Sequence, residues 1–137
     1  MKVVKVETRV RYSECDPMGV VHNSNYFSWF EMGRFEIMRQ VGVDFKKLNE
    51  EKIYFPVIKA ECTYKQSALF DDEIVICTRL HKPTMAKLMF EYEIYRKQNY
   101  ILLAIGKTSH AITTQEKGMI LNLPTELKEK IYAFLDK

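Results

Sequence analysis

Between Ser24 and Val41 the chain carries an apolar stripe at helical spacing. Tyr26, Phe30, Gly33, Ile37 and Val41 fall at i, i+4, i+7, i+11 and i+15. Trp29, Phe27 and Met38 widen the apolar side, so this helix is to be covered on more than one side, with its aromatics in the core. Ser28, Glu31, Arg34 and Arg39 take the other face. Gly33 costs about 1 kcal/mol relative to Ala inside a helix, and its use is close packing against a sheet. Asn23 or Ser24 is placed to cap the start, and Gly42 to stop the end. One long, mostly apolar helix must find a layer that covers it, and a wrapping sheet is the two-layer arrangement that buries both.

The rest of the chain supplies that sheet. Val4, Val6, Thr8, Val10 and Tyr12 alternate with Lys5, Glu7, Arg9 and Arg11, the period of a half-buried strand. A polar bend follows over 13–19, where Pro17 biases Asp16 away from helical backbone. Asp44 to Glu51 reads as a short second helix. Strand patterns then cover 54–65, 74–80, 88–94 and 100–114, with breaks at Asp71-Asp72, Lys82-Pro83-Thr84 and Gln98-Asn99. A short amphipathic helix closes the chain after Pro124. The order β–α–β–β–β–β–α predicts an α+β fold in which a five-stranded antiparallel meander wraps a central helix. With 137 residues and no repeat or linker, 1–137 reads as one domain, long enough to bury a core without metals or disulfides.

Charge and cysteine usage narrow the partners. Lys plus Arg is 21 against 18 for Asp plus Glu, and no basic run concentrates the excess, so nucleic acid is not the expected partner. A net +3 accommodates a modestly anionic ligand. Cys15, Cys62 and Cys77 lack CxxC spacing and fit free thiols in a reducing, cytoplasmic setting. No apolar run reaches the ~18 residues of a membrane span, and the first residues lack a signal-peptide block. No His/Cys/Asp cluster has metal-ligand spacing, so neither metal nor cofactor is expected.

Chemistry concentrates between Tyr12 and Tyr26. A carboxylate, Asp16, lies on a loop just before a helix whose first N–H groups are unpaired. Such donors can polarise a carbonyl and hold the oxyanion that follows, while the carboxylate attacks the carbon or activates water. A loop aspartate in this place equally serves as a turn or cap. Cys15 beside Asp16 is not a nucleophile candidate, because the carboxylate would raise its pKa.

This run, with its Asp-Pro-Met-Gly-Val-Val core and the following Asn25-Tyr26, resembles the signature of hotdog-fold acyl-CoA thioesterases, in the 4-hydroxybenzoyl-CoA thioesterase and YbgC-like branch. The segments 64–72, 88–94 and 106–124 resemble that family's later strands and closing turn. The resemblance implies a hotdog fold, dimers joined sheet edge to sheet edge with tetramers as pairs of dimers, and a site at the dimer interface. It places Asp16 as nucleophile or general base, the backbone N–H near Asn23 as carbonyl activator, and Tyr12 beside the aspartate. His22 and Tyr26 are candidates for substrate contact, and Lys82 and Lys87 for the phosphates of CoA. Relatives often carry His at the place of Asn23, so side-chain proton exchange there is lost while a backbone role survives. His22 serves either as a proton shuttle or as a local hydrogen-bonding group, and the two lysines either meet phosphate or only solubilise a hairpin.

The expected activity is hydrolysis of an acyl-CoA, with acyl carrier protein thioesters as the nearest variant. A non-catalytic acyl-thioester binding module is the rival on the same fold. A hotdog dehydratase ranks below both, because its His–acid motif is absent.

Overall fold

A computed structural model describes residues 2–120 and 122–137. Its elements are β1 (Val3–Arg9), α1 (Asn25–Val41), α2 (Phe45–Glu50), β2 (Ile53–Tyr54), β3 (Val57–Tyr64), β4 (Glu73–Leu80), β5 (Leu88–Arg96), β6 (Leu102–His110), β7 (Thr113–Thr114), β8 (Gly118–Met119) and α3 (Thr125–Leu135). Five strands form one antiparallel sheet in the order β1-β4-β5-β6-β3.

The hotdog arrangement is as expected, with α1 against the concave side of the sheet. The apolar stripe of α1 is buried, and Phe30 stacks on Tyr92 with ring centroids 4.4 Å apart. Gly33 lies where any Cβ would collide with the Thr78 hydroxyl, so the missing side chain sets the helix-to-sheet distance. Gly42 ends α1 in the left-handed region at φ 102°.

Four expectations need correction. The sheet is a meander only through β4, β5 and β6; β3 precedes them in sequence but pairs with β6 at the far edge. The segment 65–72 carries the chain across the sheet end, held where Arg96 reaches the Asp72 carboxylate and the Ser67 carbonyl, each at 3.0 Å. The strand expected over 54–65 breaks at Pro56, and the one over 100–114 breaks at Ala111. The Ala111 N–H donates to the Pro56 carbonyl, and the severed ends pair in a ribbon of order β2-β7-β8. Neither Asn23 nor Ser24 caps α1 with its side chain; Ser24 is already helical at φ −61°, ψ −26° and turns its hydroxyl to His22.

Edge strand β3 is exposed on both faces, with Val57 at 48% and Ile58 at 49%. Phe27 and Phe35 of α1 are exposed too, although the helix aromatics were expected in the core. Tyr26, Trp29 and Phe30 are buried as expected.

Candidate active site

After β1 the chain makes one 3-10 turn, Tyr12–Glu14, and then a tight loop. Buried Glu14 ties that turn to α1. One carboxylate oxygen accepts from the Arg11 N–H at 2.8 Å, and the other accepts from the Trp29 indole N–H at 3.1 Å. The Glu14 carbonyl accepts from the His22 N–H and from the Asn25 side-chain amide, each at 2.9 Å.

The loop closes on itself and on its neighbours. Cys15 pairs with Val21, and Val20 with Leu69. The Asp16 N–H donates to the Val20 carbonyl at 2.9 Å. Gly19 has φ 78°, a backbone state that most side chains resist. Asp16 Oδ1 accepts from the N–H groups of Met18 at 2.8 Å and Val20 at 3.2 Å. Its other oxygen has no hydrogen-bond partner among the described residues, and the residue is exposed. One oxygen fixes the carboxylate, then, and the other is presented. Burial raises the Cys15 thiol, and the Glu14 and Asp16 carboxylates push it further up.

The approach to α1 is equally ordered. The Tyr64 hydroxyl donates to the Asn23 carbonyl at 3.1 Å, and the Tyr64 ring packs edge-on against Tyr26, centroids 5.0 Å apart. Burial, then the neighbouring Cys62 thiol, push the Tyr64 hydroxyl up to about 12, so it remains a donor. The Asn23 N–H has no partner among the described residues, unlike the Ser24 and Asn25 N–H groups, which go to His22.

The other predicted residues fall around this pair in different ways. His22 is exposed; its Nδ1 accepts the Ser24 N–H at 3.2 Å, which leaves the proton of the neutral ring on Nε2. Tyr12 is 71% exposed and packs edge-on against Phe70. Tyr26 is buried, and its hydroxyl accepts the Ala68 N–H at 3.1 Å, so in this chain it supports the loop. Lys82 and Lys87 are exposed at the other end of the sheet, because β4 runs from Glu73 beside β1's last residue to Leu80, about 23 Å away at ~3.3 Å per residue. Lys82 sits over the Tyr132 ring at 5.2 Å.

Reading the sequence missed Tyr64, although it is the last inward-facing residue of β3. It also missed a cavity of about 530 Å³ beside the second half of α1, lined by Arg34, Phe35, Met38, Leu88, Phe90 and His110 among others. Arg34 lies nine residues beyond Asn25, about 14 Å along the helix. Among the described residues no group of three or more His, Cys, Asp or Glu side chains is placed to hold a metal ion, and no helix is long and apolar enough to cross a membrane.

Comparison with known proteins places this arrangement. The model of the thioesterase-like superfamily matches residues 10–131. The acyl-CoA thioesterase YbgC of Haemophilus influenzae is 28% identical over 121 residues, covering 88% of each chain. The Bacillus subtilis protein YneP, named provisionally as an acyl-CoA thioesterase, is 30% identical over 118 residues, 86% of this chain and 84% of its own. The crystal structure of a DHNA-CoA thioesterase from Staphylococcus aureus superposes with a TM-score of 0.87 at 25% identity, covering 99% of this chain and 95% of that one. On this fold and with these relatives, the chain belongs to the thioesterase-like superfamily as a thioester hydrolase of the hotdog fold.

Proposed function

We propose that the protein hydrolyses an acyl-CoA to the free acid and CoA, with Asp16 as the reacting carboxylate and the Asn23 N–H as the donor to the thioester oxygen. The observation that carries this reading is the pairing of a carboxylate fixed through one oxygen with an N–H left without a partner seven residues later. Asp16 either takes a proton from water, whose oxygen then adds to the carbonyl carbon, or adds to that carbon itself and is released by water. Both routes put negative charge on the carbonyl oxygen beside Asn23 and expel the CoA thiolate, which takes up the proton that the water gives up.

The same reading makes the working unit a two-fold dimer joined at β3. Antiparallel pairing of two β3 edges sets the Tyr64 end of one strand against the Val57 end of the other. Because Val57 pairs with His110 at the cavity end of the sheet, each Asp16 loop then faces the partner copy's cavity. Lys82 and Lys87 belong to that same end and are assigned to CoA phosphates in trans, with Tyr12 and His22 at the mouth. The exposed apolar residues of β3 and α1 support such an edge contact. Thiol release from an acyl-CoA panel tests the activity: steady turnover that depends on Asp16 supports it, and binding without release overturns it.

A further inference from the structure

The cavity beside α1 has one largely buried cation whose needs the fold leaves partly unmet. Arg34 is only 17% exposed, and its ion-pair partner among the described residues is Glu31, at 3.6 Å and itself 57% exposed. A guanidinium has five N–H donors in a planar fork; a solvated carboxylate at that distance, and the Tyr92 hydroxyl, whose pKa burial raises and the Arg34 charge and hydrogen bond pull back, satisfy only part of it.

The neighbouring polar groups, by contrast, are used up. His110 Nδ1 lies 3.1 Å from the Phe55 carbonyl, which can only accept, so Nδ1 carries the proton. Burial lowers the His110 pKa against the pull of the Phe55 carbonyl, and the Arg34 charge lowers it further, so the ring is neutral and Nε2 accepts. Nε2 then takes the Thr108 hydroxyl at 2.9 Å, and Thr108 takes the Tyr92 hydroxyl at 2.6 Å. Tyr92 to Thr108 to His110 to Phe55 is a closed chain with no donor to spare. Of the remaining walls Phe35, Met38, Leu88 and Phe90 are apolar, and the polar residues Glu31, Asn49 and Tyr54 are exposed to solvent. A pocket of this composition holds a chain of carbons and reads one oxygen at Arg34.

Resting on the proposed acyl-CoA hydrolysis, we infer that this cavity is the acyl pocket and that Arg34 selects acyl groups bearing an oxygen acceptor, carboxylate or hydroxyl, at the end remote from the thioester. A methyl end would leave the guanidinium desolvated and unpaired, whereas an oxygen end accepts its hydrogen bonds; a carboxylate accepts two in parallel.

The test compares CoA thioesters of matched length, from six to ten carbons, ending in methyl, hydroxyl or carboxylate: for eight carbons, octanoyl-CoA, 8-hydroxyoctanoyl-CoA and the CoA monothioester of suberic acid. The expected result is a kcat/KM at least tenfold higher for an oxygen end than for methyl, and the hydroxyl and carboxylate arms show which oxygen is preferred. Arg34→Met should bring that ratio to within about twofold of unity, and Arg34→Lys should keep part of it. A methyl end processed as well as an oxygen end by the wild type overturns the inference, whatever the variants do. So does an Arg34→Met enzyme that loses subunit association or all three activities alike while keeping the wild-type ratio, because Arg34 would then be an assembly residue. Total inactivity toward every thioester would sink the hydrolase reading instead. The inference would then be decided by the Kd ratio of the same three compounds, which should still favour the oxygen ends tenfold.

Discussion

At the start of α1 a set of hydrogen bonds ties the loop to the helix, whereas half-way along the same helix a guanidinium faces a largely apolar cavity with one loose carboxylate beside it. The first region spends its hydrogen bonds on position. Glu14, Asn25, Tyr26 and Tyr64 hold the loop, and one oxygen of Asp16 and the N–H of Asn23 are left without a partner among the described residues. The second region spends apolar surface on shape and leaves its cation open. Rigid surroundings with two spare groups suit a bond-breaking step, which rewards fixed geometry. A cavity with one unsatisfied cation suits discrimination among ligands. On one chain Asn25 and Arg34 lie about 14 Å apart along α1, and the proposed dimer would set one copy's Asp16 loop against the other's cavity.

If chemistry lives only at the first region, Asp16→Asn should lower kcat by about 10²–10⁴-fold and leave the melting temperature nearly unchanged. Asn keeps the shape and a carbonyl that can still accept the Met18 N–H, but it carries no charge to attack or to take a proton. Wild-type turnover in this variant would move the reaction elsewhere. Next in size is Asn23→Pro, which deletes the unpartnered N–H and should cost about 10²–10³-fold, whereas Asn23→Ala should cost only a few-fold. Circular dichroism must show both folded. Equal losses in two folded variants would remove the oxyanion role from this backbone group.

The first region was largely legible in the sequence, and the second was not. Asp16, Pro17 and Gly19 are close in the chain, and a turn is set by local chemistry; Gly19 at φ 78° sits where such a turn needs it. The burial of the α1 stripe followed from spacing, because every member faces the same layer. What failed was non-local. Nothing local says that β3 pairs with β6 instead of β4, since alternating residues fit either neighbour. Pro56 was visible, yet the period-two pattern continues across it, and its effect shows only where Ala111 donates to its carbonyl. Arg34 reads as an outer-face residue of α1, and Phe35 as one of its core aromatics. Their place on a cavity wall depends on α2 and β2 standing across from them, which spacing along one helix does not encode.

The separation of the two regions can be broken by mixing subunits. Leu48→Trp, on α2, should fill the cavity and block turnover while leaving the Asp16 loop intact. Asp16→Asn has the opposite defect. In a two-fold dimer one site of the mixed pair receives both intact halves and the other receives neither. With free exchange, half of the dimers are mixed, so activity should recover to about a quarter of the wild-type level per chain. Mixed dimers confirmed by mass spectrometry but still inactive would place both regions in one chain's site.

The smallest expected effect sharpens the comparison most, because it separates positioning from packing within the first region. Tyr64→Phe keeps the ring against Tyr26 and removes only the hydroxyl that donates to the Asn23 carbonyl. Such a hydrogen bond contributes about 1 kcal/mol, so kcat should fall about fivefold. The carbonyl belongs to Asn23 itself, next to the peptide whose N–H meets the thioester, and freeing it lets that donor wander from its line. KM should barely move, because the acyl pocket lies at the far part of the helix. Since the hydroxyl is pushed up to about 12, its loss should add no inflection to the rate profile below pH 10. A lower melting temperature with unchanged kcat would make Tyr64 a packing residue, and a rise in KM at constant kcat would make it a substrate contact. A fall in kcat alone would place the ordering of the α1 start in the transition state, where the dense hydrogen bonding of that region has its use.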